Sequence, residues 1–212
     1  MATISRILPT ILCAAAISVP ASAADVVIND LRFGVGFSIT DDSEVSVPGT
    51  TIDYDAQTLA FSLQYMRSIN PLESWGGLIF GGELFYSMTS GDAVGGALDV
   101  DVDTYGIQGY FGYAYAMQGM PLHFEVTPYL GLGMANTEIS NGGASDDDDD
   151  TLIQYGLRAA GYYTFANKWQ AGLELRYQIK GETKPNFDST EVDEVDVEMS
   201  GLQLVLQGGY RF

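Results

Sequence analysis

The sequence predicts an all-β fold: a membrane-spanning, antiparallel up-and-down barrel of about eight strands. Three observations predict it. Apolar and small or polar residues alternate with period two, in segments long enough to cross a bilayer, which takes ~9–11 strand residues. The connections alternate between short and long, and acids crowd the long ones. Past the N-terminus no stretch is long and apolar enough for a spanning helix, and only helices and closed barrels satisfy every backbone group in lipid.

The first stretch is set apart. Arg6 gives a positive start, Ile7 to Val19 is an apolar run broken only by Pro9 and Thr10, and Ala21-Ser22-Ala23 fits a small-residue cleavage site. Met1–Ala23 is therefore expected to be a signal peptide for Sec-type export, cleaved to leave a barrel domain over Ala24–Phe212. The single cysteine, Cys13, leaves with it, so the mature chain is expected to have no disulfide.

The strands follow in order. The first, near Leu31–Ile39, sets Leu31, Phe33, Val35, Phe37 and Ile39 against Arg32, Gly34, Gly36 and Ser38. The second sets Leu59, Phe61, Leu63 and Tyr65 against Thr58, Ala60, Ser62 and Gln64. In the third, Leu78, Phe80, Leu84, Tyr86 and Met88 oppose Gly81, Glu83 and Ser87, with Ile79 and Phe85 breaking the pattern. The fourth has Tyr105, Ile107, Phe111, Tyr113 and Tyr115 against Gly106, Gln108, Gly112 and Ala114. The fifth has Phe124, Val126, Pro128, Leu130, Leu132 and Met134 against His123, Glu125, Thr127, Gly131 and Gly133. The sixth has Ile153, Tyr155, Leu157 and Tyr163 against Gln154, Gly156, Arg158 and Ala160. The seventh has Trp169, Leu173, Leu175, Tyr177 and Ile179 against Gly172, Glu174, Arg176 and Gln178. The eighth has Leu202, Leu204, Leu206, Tyr210 and Phe212 against Gln203, Gln207, Gly209 and Arg211.

Short connections follow the second, fourth and sixth segments: Ser68–Ser74, Gln118–Pro121 and Thr164–Lys168. Long ones follow the first, third, fifth and seventh. Short turns at one rim and long loops at the other are the pattern of an outer-membrane barrel, with the short turns and both termini on the periplasmic side.

Alternation alone also fits a soluble barrel with its apolar face inside. Volume decides against it. Eight strands enclose a lumen only just wide enough for side chains to fill, and the apolar face carries several large residues per strand. That face is expected to meet lipid, with Tyr, Phe and Trp as girdles at the interfaces. The other face then carries charges of both signs into the lumen: Glu83, Glu125 and Glu174, with Arg32, Arg158, Arg176 and Arg211. We expect them to form a shared network that plugs the barrel, since charges in a confined interior persist only when paired and hydrogen-bonded.

The formal charge is -19, with 28 acids against 9 bases, which argues against nucleic-acid binding, a task for clustered Lys and Arg. Twenty-two of the 28 acids fall in the four long connections, among them Asp99, Asp101 and Asp103, the run Asp146–Asp150, and seven between Glu182 and Glu198. The plain reading is a solvated, self-repelling outer surface. The sharper one is divalent-cation binding, with Asp146, Asp147, Asp148, Asp149 and Asp150 as weak candidate ligands, bridging to lipopolysaccharide phosphates. Asp99-Val-Asp-Val-Asp103 is not an EF-hand start, because Thr104 stands where that loop needs Gly. Asp101 and Asp103 share the lipid-facing parity of Tyr105 and Ile107, so they should mark where that strand leaves the outer leaflet. His123 is the only histidine and has no serine beside it, so it reads as a polar residue at the barrel mouth; no nucleophile elbow or phosphate loop occurs.

The last strand, Gly201-Leu-Gln-Leu-Val-Leu-Gln-Gly-Gly-Tyr-Arg-Phe212, resembles the final strand of outer-membrane proteins. Thr127-Pro-Tyr-Leu-Gly-Leu-Gly-Met134 is similar to a strand common in the small outer-membrane barrel family of OmpA-type, OmpX-type and opacity-like proteins. Tyr155-Gly156-Leu157 and Leu173-Glu-Leu-Arg-Tyr177 are similar to that family's last hairpin strands. The resemblance implies a Gram-negative outer-membrane location. It also implies that Leu202, Leu204, Leu206, Tyr210 and Phe212 are read by the barrel-assembly machinery, after escort by periplasmic chaperones. The function expected is non-enzymatic, without cofactor: envelope integrity or surface interaction through acidic loops. Outer-membrane lipid and lipopolysaccharide would be its partners. The alternative is a small pore or hydrophobic-solute channel; a lipid A-modifying enzyme ranks below both.

Overall fold

The computed structural model describes residues 28–47, 50–72, 76–93, 98–117, 119–141, 144–183 and 196–212. The expected signal peptide Met1–Ala23 lies outside them. Eight antiparallel strands pair in sequence order and close into a barrel: β1 (Ile28–Val47), β2 (Thr50–Leu72), β3 (Gly76–Ala93), β4 (Leu98–Ala116), β5 (Leu122–Asn141), β6 (Ala144–Thr164), β7 (Trp169–Thr183) and β8 (Asp196–Arg211). Closure leaves no edge: β8 pairs with β1 from Asp30↔Arg211 outward, and Phe212 exchanges backbone hydrogen bonds with Asn29. Among the described residues no helix is long and apolar enough to cross a membrane.

The register turns the sequence alternation into two surfaces. Leu130 is 61 % exposed, Phe111 58 % and Leu132 56 %, within a continuous coat of large apolar side chains around all eight strands. A soluble protein rarely shows more than a few hundred Å² of contiguous apolar surface, so the coat fits lipid. At the short-turn end it finishes in aromatics: Tyr115 opposite Phe124, Tyr163 against Phe165, and Trp169 against Tyr210. At the other end Tyr86 and Tyr105 face each other across β3 and β4, and the Tyr86 hydroxyl donates to Asp103 at 3.1 Å.

The long connections were expected to be loops, and in the first three the structure differs; most of the fourth, 184–195, lies outside the described residues. The strands run 15 to 23 residues, well beyond a bilayer crossing, and β1 ends at Val47 only to resume as β2 at Thr50. The first three acidic stretches are strand extensions. Alternation continues through the described parts of β4 and β5 with its polarity inverted. On β4, Asp99, Asp101 and Asp103 point outward while Val100 and Val102 are buried inside. On β5, Glu138 is exposed and Ala135 and Thr137 are buried. Water has replaced lipid outside, so the face once apolar is now charged, and the interior becomes aliphatic. The paired backbone is satisfied in either medium.

On β4 and β6 the inward residues change in the same order. From the short-turn end, β4 presents Tyr110, Gln108, Gly106, Thr104, Val102 and Val100, and β6 presents Tyr162, Arg158, Gln154 and Leu152. An ionic zone gives way to an amide and hydroxyl zone, then to an aliphatic one. Ile79 and Phe85, which interrupt the sequence pattern, point into the lumen and are buried there.

Candidate functional site: the ionic lumen

Two charge clusters occupy the lumen. In the one nearer the short turns, Arg32 on β1 grips Glu125 on β5 with both terminal nitrogens, at 2.8 and 2.7 Å, and donates to Asp30 at 2.7 Å. Arg211 on β8 donates to the same Asp30 carboxylate at 2.9 and 3.0 Å. His123 lies 3.2 Å from Glu125 and stacks on the Tyr162 ring. Two carboxylates meet two guanidiniums, so the cluster balances.

The second cluster is centred on Glu83 of β3. Arg176 on β7 donates to it at 2.9 and 3.1 Å, and Arg158 on β6 donates at 2.9 Å. Arg176 also holds Glu174 at 2.7 Å, and Gln207 donates to the far oxygen of Glu174 at 2.8 Å. Arg158 adds a bond to Thr127 at 3.0 Å. Again two acids meet two bases. Glu83, Arg158, Glu174, Arg32 and Glu125 are each no more than 3 % exposed, and charges so buried persist only when matched and hydrogen-bonded.

The strand order gives these bonds their meaning. In a ring of eight, β1 faces β5 and β3 faces β7. The Arg32–Glu125 and Glu83–Arg176 pairs are therefore ties across two diameters at right angles.

Each tie rests on an aromatic bed. The Arg32 guanidinium lies 3.8 Å from the Tyr162 ring centre, Arg158 4.0 Å from Tyr110, and Arg176 5.7 Å from Tyr129. Each tyrosine packs against an inward glycine of the next strand: Tyr110 against Gly81, Tyr129 against Gly156, Tyr162 against Gly172. Its hydroxyl reaches one strand further, to the Tyr65 carbonyl at 3.0 Å, the Tyr177 carbonyl at 3.5 Å and the Gln207 side chain respectively. A side chain on those glycines would collide: a Cβ on Gly81 would meet Tyr110 at 2.6 Å.

The structure brings together all seven charges named from the sequence, in two clusters rather than one. Sequence reasoning missed Asp30, which joins Arg32 to Arg211, and the three tyrosines. Parity was the available signal: Asp30 has the parity of Arg32, and Tyr110, Tyr129 and Tyr162 those of Gln108, Glu125 and Arg158.

The run Asp146–Asp150 lies in β6, where successive residues face opposite ways. Asp149 faces out and takes a bond from Asn136 at 3.0 Å, while Asp148 and Asp150 are half-buried on the inward parity. The side chains of Asp146 and Asp147 lie outside the described residues. A strand sends neighbours to opposite faces, so Asp148 and Asp149 do not share one side of the wall. Among the described residues, Asp30, His123 and Glu125 have ligand atoms within 4.8 Å of one another. Arg32 and Arg211 already occupy both carboxylates, and a dication there would face two guanidiniums. The residues Leu202, Leu204, Leu206 and Tyr210 sit on the outward parity of β8.

The sequence profile described as "Outer membrane protein beta-barrel domain" matches residues 10–212. Solved structures share the architecture at low identity. The outer membrane protein OprG of Pseudomonas aeruginosa is 13 % identical, with TM-score 0.53 over 87 % of this chain and 95 % of that one. A major outer membrane protein of Thermus thermophilus is 12 % identical, with TM-score 0.50 over 86 % and 99 %. Ail, the attachment invasion locus protein of Yersinia pestis, is 18 % identical, with TM-score 0.46 over 86 % and 98 %. No curated protein matches. At such identities the likeness shows the fold.

Proposed function

The chain belongs to the outer membrane protein β-barrel domain family and is an outer-membrane protein, and from that premise we propose that it is a non-enzymatic, plugged barrel rather than a pore. The observation that carries the reading is the pair of crossed ionic ties. Arg32–Glu125 and Glu83–Arg176 span the lumen at right angles, each on a tyrosine, and the side chains between them are buried. An ion crossing there would have to displace a matched pair in a low-dielectric interior. The inward aliphatic residues Val100, Val102, Ala135 and Leu152 narrow the outer end further.

The role left to such a body is at its outer surface. Asp99, Asp101, Asp103, Glu138 and Asp149 stand outward just beyond the lipid-facing band. We read this acidic collar as the part that serves envelope integrity or surface contact, among the lipopolysaccharide headgroups. Assembly would proceed through periplasmic chaperones and the barrel-assembly machinery acting on the last strand.

Planar-bilayer recording of the refolded protein tests the plug: the expected trace has no stable open steps. Regular open steps would favour the rival small pore. Lipid A mass profiles of cells with and without the protein should be identical; a shifted acyl pattern would mark an enzyme.

A further inference from the structure

We propose that the amide zone of the lumen binds a short file of ordered water molecules, running from Lys180 to Arg176 and ending against the ionic ties. Two features of the interior carry this. Ser62 Oγ, Gln154 Oε1 and Gln203 Oε1 have no hydrogen-bond partner within the protein. Their residues are only 7 %, 1 % and 5 % exposed. All three residues line one cavity, together with Arg176, Gln178 and Val205, and it has room for about one water. A second cavity, lined by Ser38, Thr58, Gln178, Lys180 and Gln203, shares Gln178 and Gln203 with the first. The two spaces therefore adjoin.

The orphaned atoms choose the ligand. Two are amide carbonyl oxygens and one is a hydroxyl oxygen, so the ligand must donate at least two hydrogens. An anion cannot do so. A metal cation or ammonium could satisfy carbonyl oxygens, but Arg176 lines the same cavity and Lys180 the next, and both repel it. Water is small enough, donates twice and accepts from the Ser62 hydroxyl. It also meets the rule that buried polar groups find partners, in ordered water where the protein offers none. Gln154 is half-satisfied already: its amide nitrogen donates to Gln108 at 2.7 Å, which fixes its oxygen toward the cavity.

The test is water-to-amide magnetization transfer in the refolded, full-length mature barrel in nanodiscs, with glutamine side-chain nitrogens labelled. The expected result is cross-peaks from long-lived water to the side-chain amides of Gln154 and Gln203. In Gln203→Leu the Gln154 cross-peak should fall at least several-fold, while the side-chain amide of Gln170, at the short-turn end of the lumen and bonded to Thr164, is unchanged. Gln154→Leu, read at Gln203, is the reciprocal variant, and heat-modifiable gel migration certifies that each is folded. Wild-type amides with no water contact would overturn the proposal. So would amide shifts that follow added potassium or ammonium chloride but not matched lithium chloride, since a cation would then occupy the site. The proposal stands on the cavity and not on the plug: open steps in a bilayer would remove the plug and leave these cross-peaks.

Discussion

At the residue scale, the lumen is built from groups that cannot be removed singly. Arg158 serves Glu83 and Thr127 at once and packs on Tyr110. Arg158→Leu leaves a buried carboxylate short of its countercharge, and breaking one partner of such a pair costs about 3–5 kcal/mol. Urea unfolding of the refolded barrel in lipid vesicles should show that loss, and an unchanged midpoint would mean that the arginine is not part of a shared network. The tyrosine beds make a second prediction. Gly156→Ala would bring a Cβ within 2.8 Å of the Tyr129 hydroxyl and into the Tyr177 carbonyl. Overpacking of this kind costs about 1–3 kcal/mol. Gly208→Ala, on the same kind of strand with open space beside it, should leave the unfolding midpoint almost unmoved.

At the element scale, the strand extensions are the unexpected feature. On β4 the alternation is as regular as in the spanning part, but the run Leu98–Asp103 reads as an acidic loop when charge is weighed above period. The inward Val100 and Val102 were the overlooked half of the pattern. Val102→Asp would bury an unpaired charge and should melt the outer halves of β3, β4 and β5. Hydrogen exchange at residues 98–104 and 134–140 should then rise many-fold while the spanning amides stay protected. Asp101→Asn acts the other way. Asp101 stands directly across from Glu138, and like charges directly opposite in a sheet are unfavourable. That variant should exchange no faster than the parent, and faster exchange would show that the acid itself holds the extension in place.

At the scale of the whole molecule, lipid contact decides which face of the wall carries which chemistry. Leu130, among the most exposed apolar residues, lies mid-strand on β5. Leu130→Arg should destabilise the barrel in bilayers by about 2–4 kcal/mol, as expected for a cation near the midplane. The same change in a soluble protein's surface would cost little. An insensitive midpoint would mean that this wall is not in contact with acyl chains.

Strand number, strand direction, the two-faced alternation and the membrane solvent were legible in the residues alone. Period two fixes which side chains share a face, and the bulk of the apolar set excludes an inward placement. The seven lumen charges followed from the same parity. What only the closed structure decided was partnership. Glu83 and Arg176 are 93 positions apart in sequence and meet because closure sets β3 across from β7. Likewise Tyr110 finds Gly81, and Asp30 joins Arg32 to Arg211, through register and ring closure. Alternation along one strand is a local property of the backbone, whereas contact across a lumen depends on the tilt and stagger of all eight strands together.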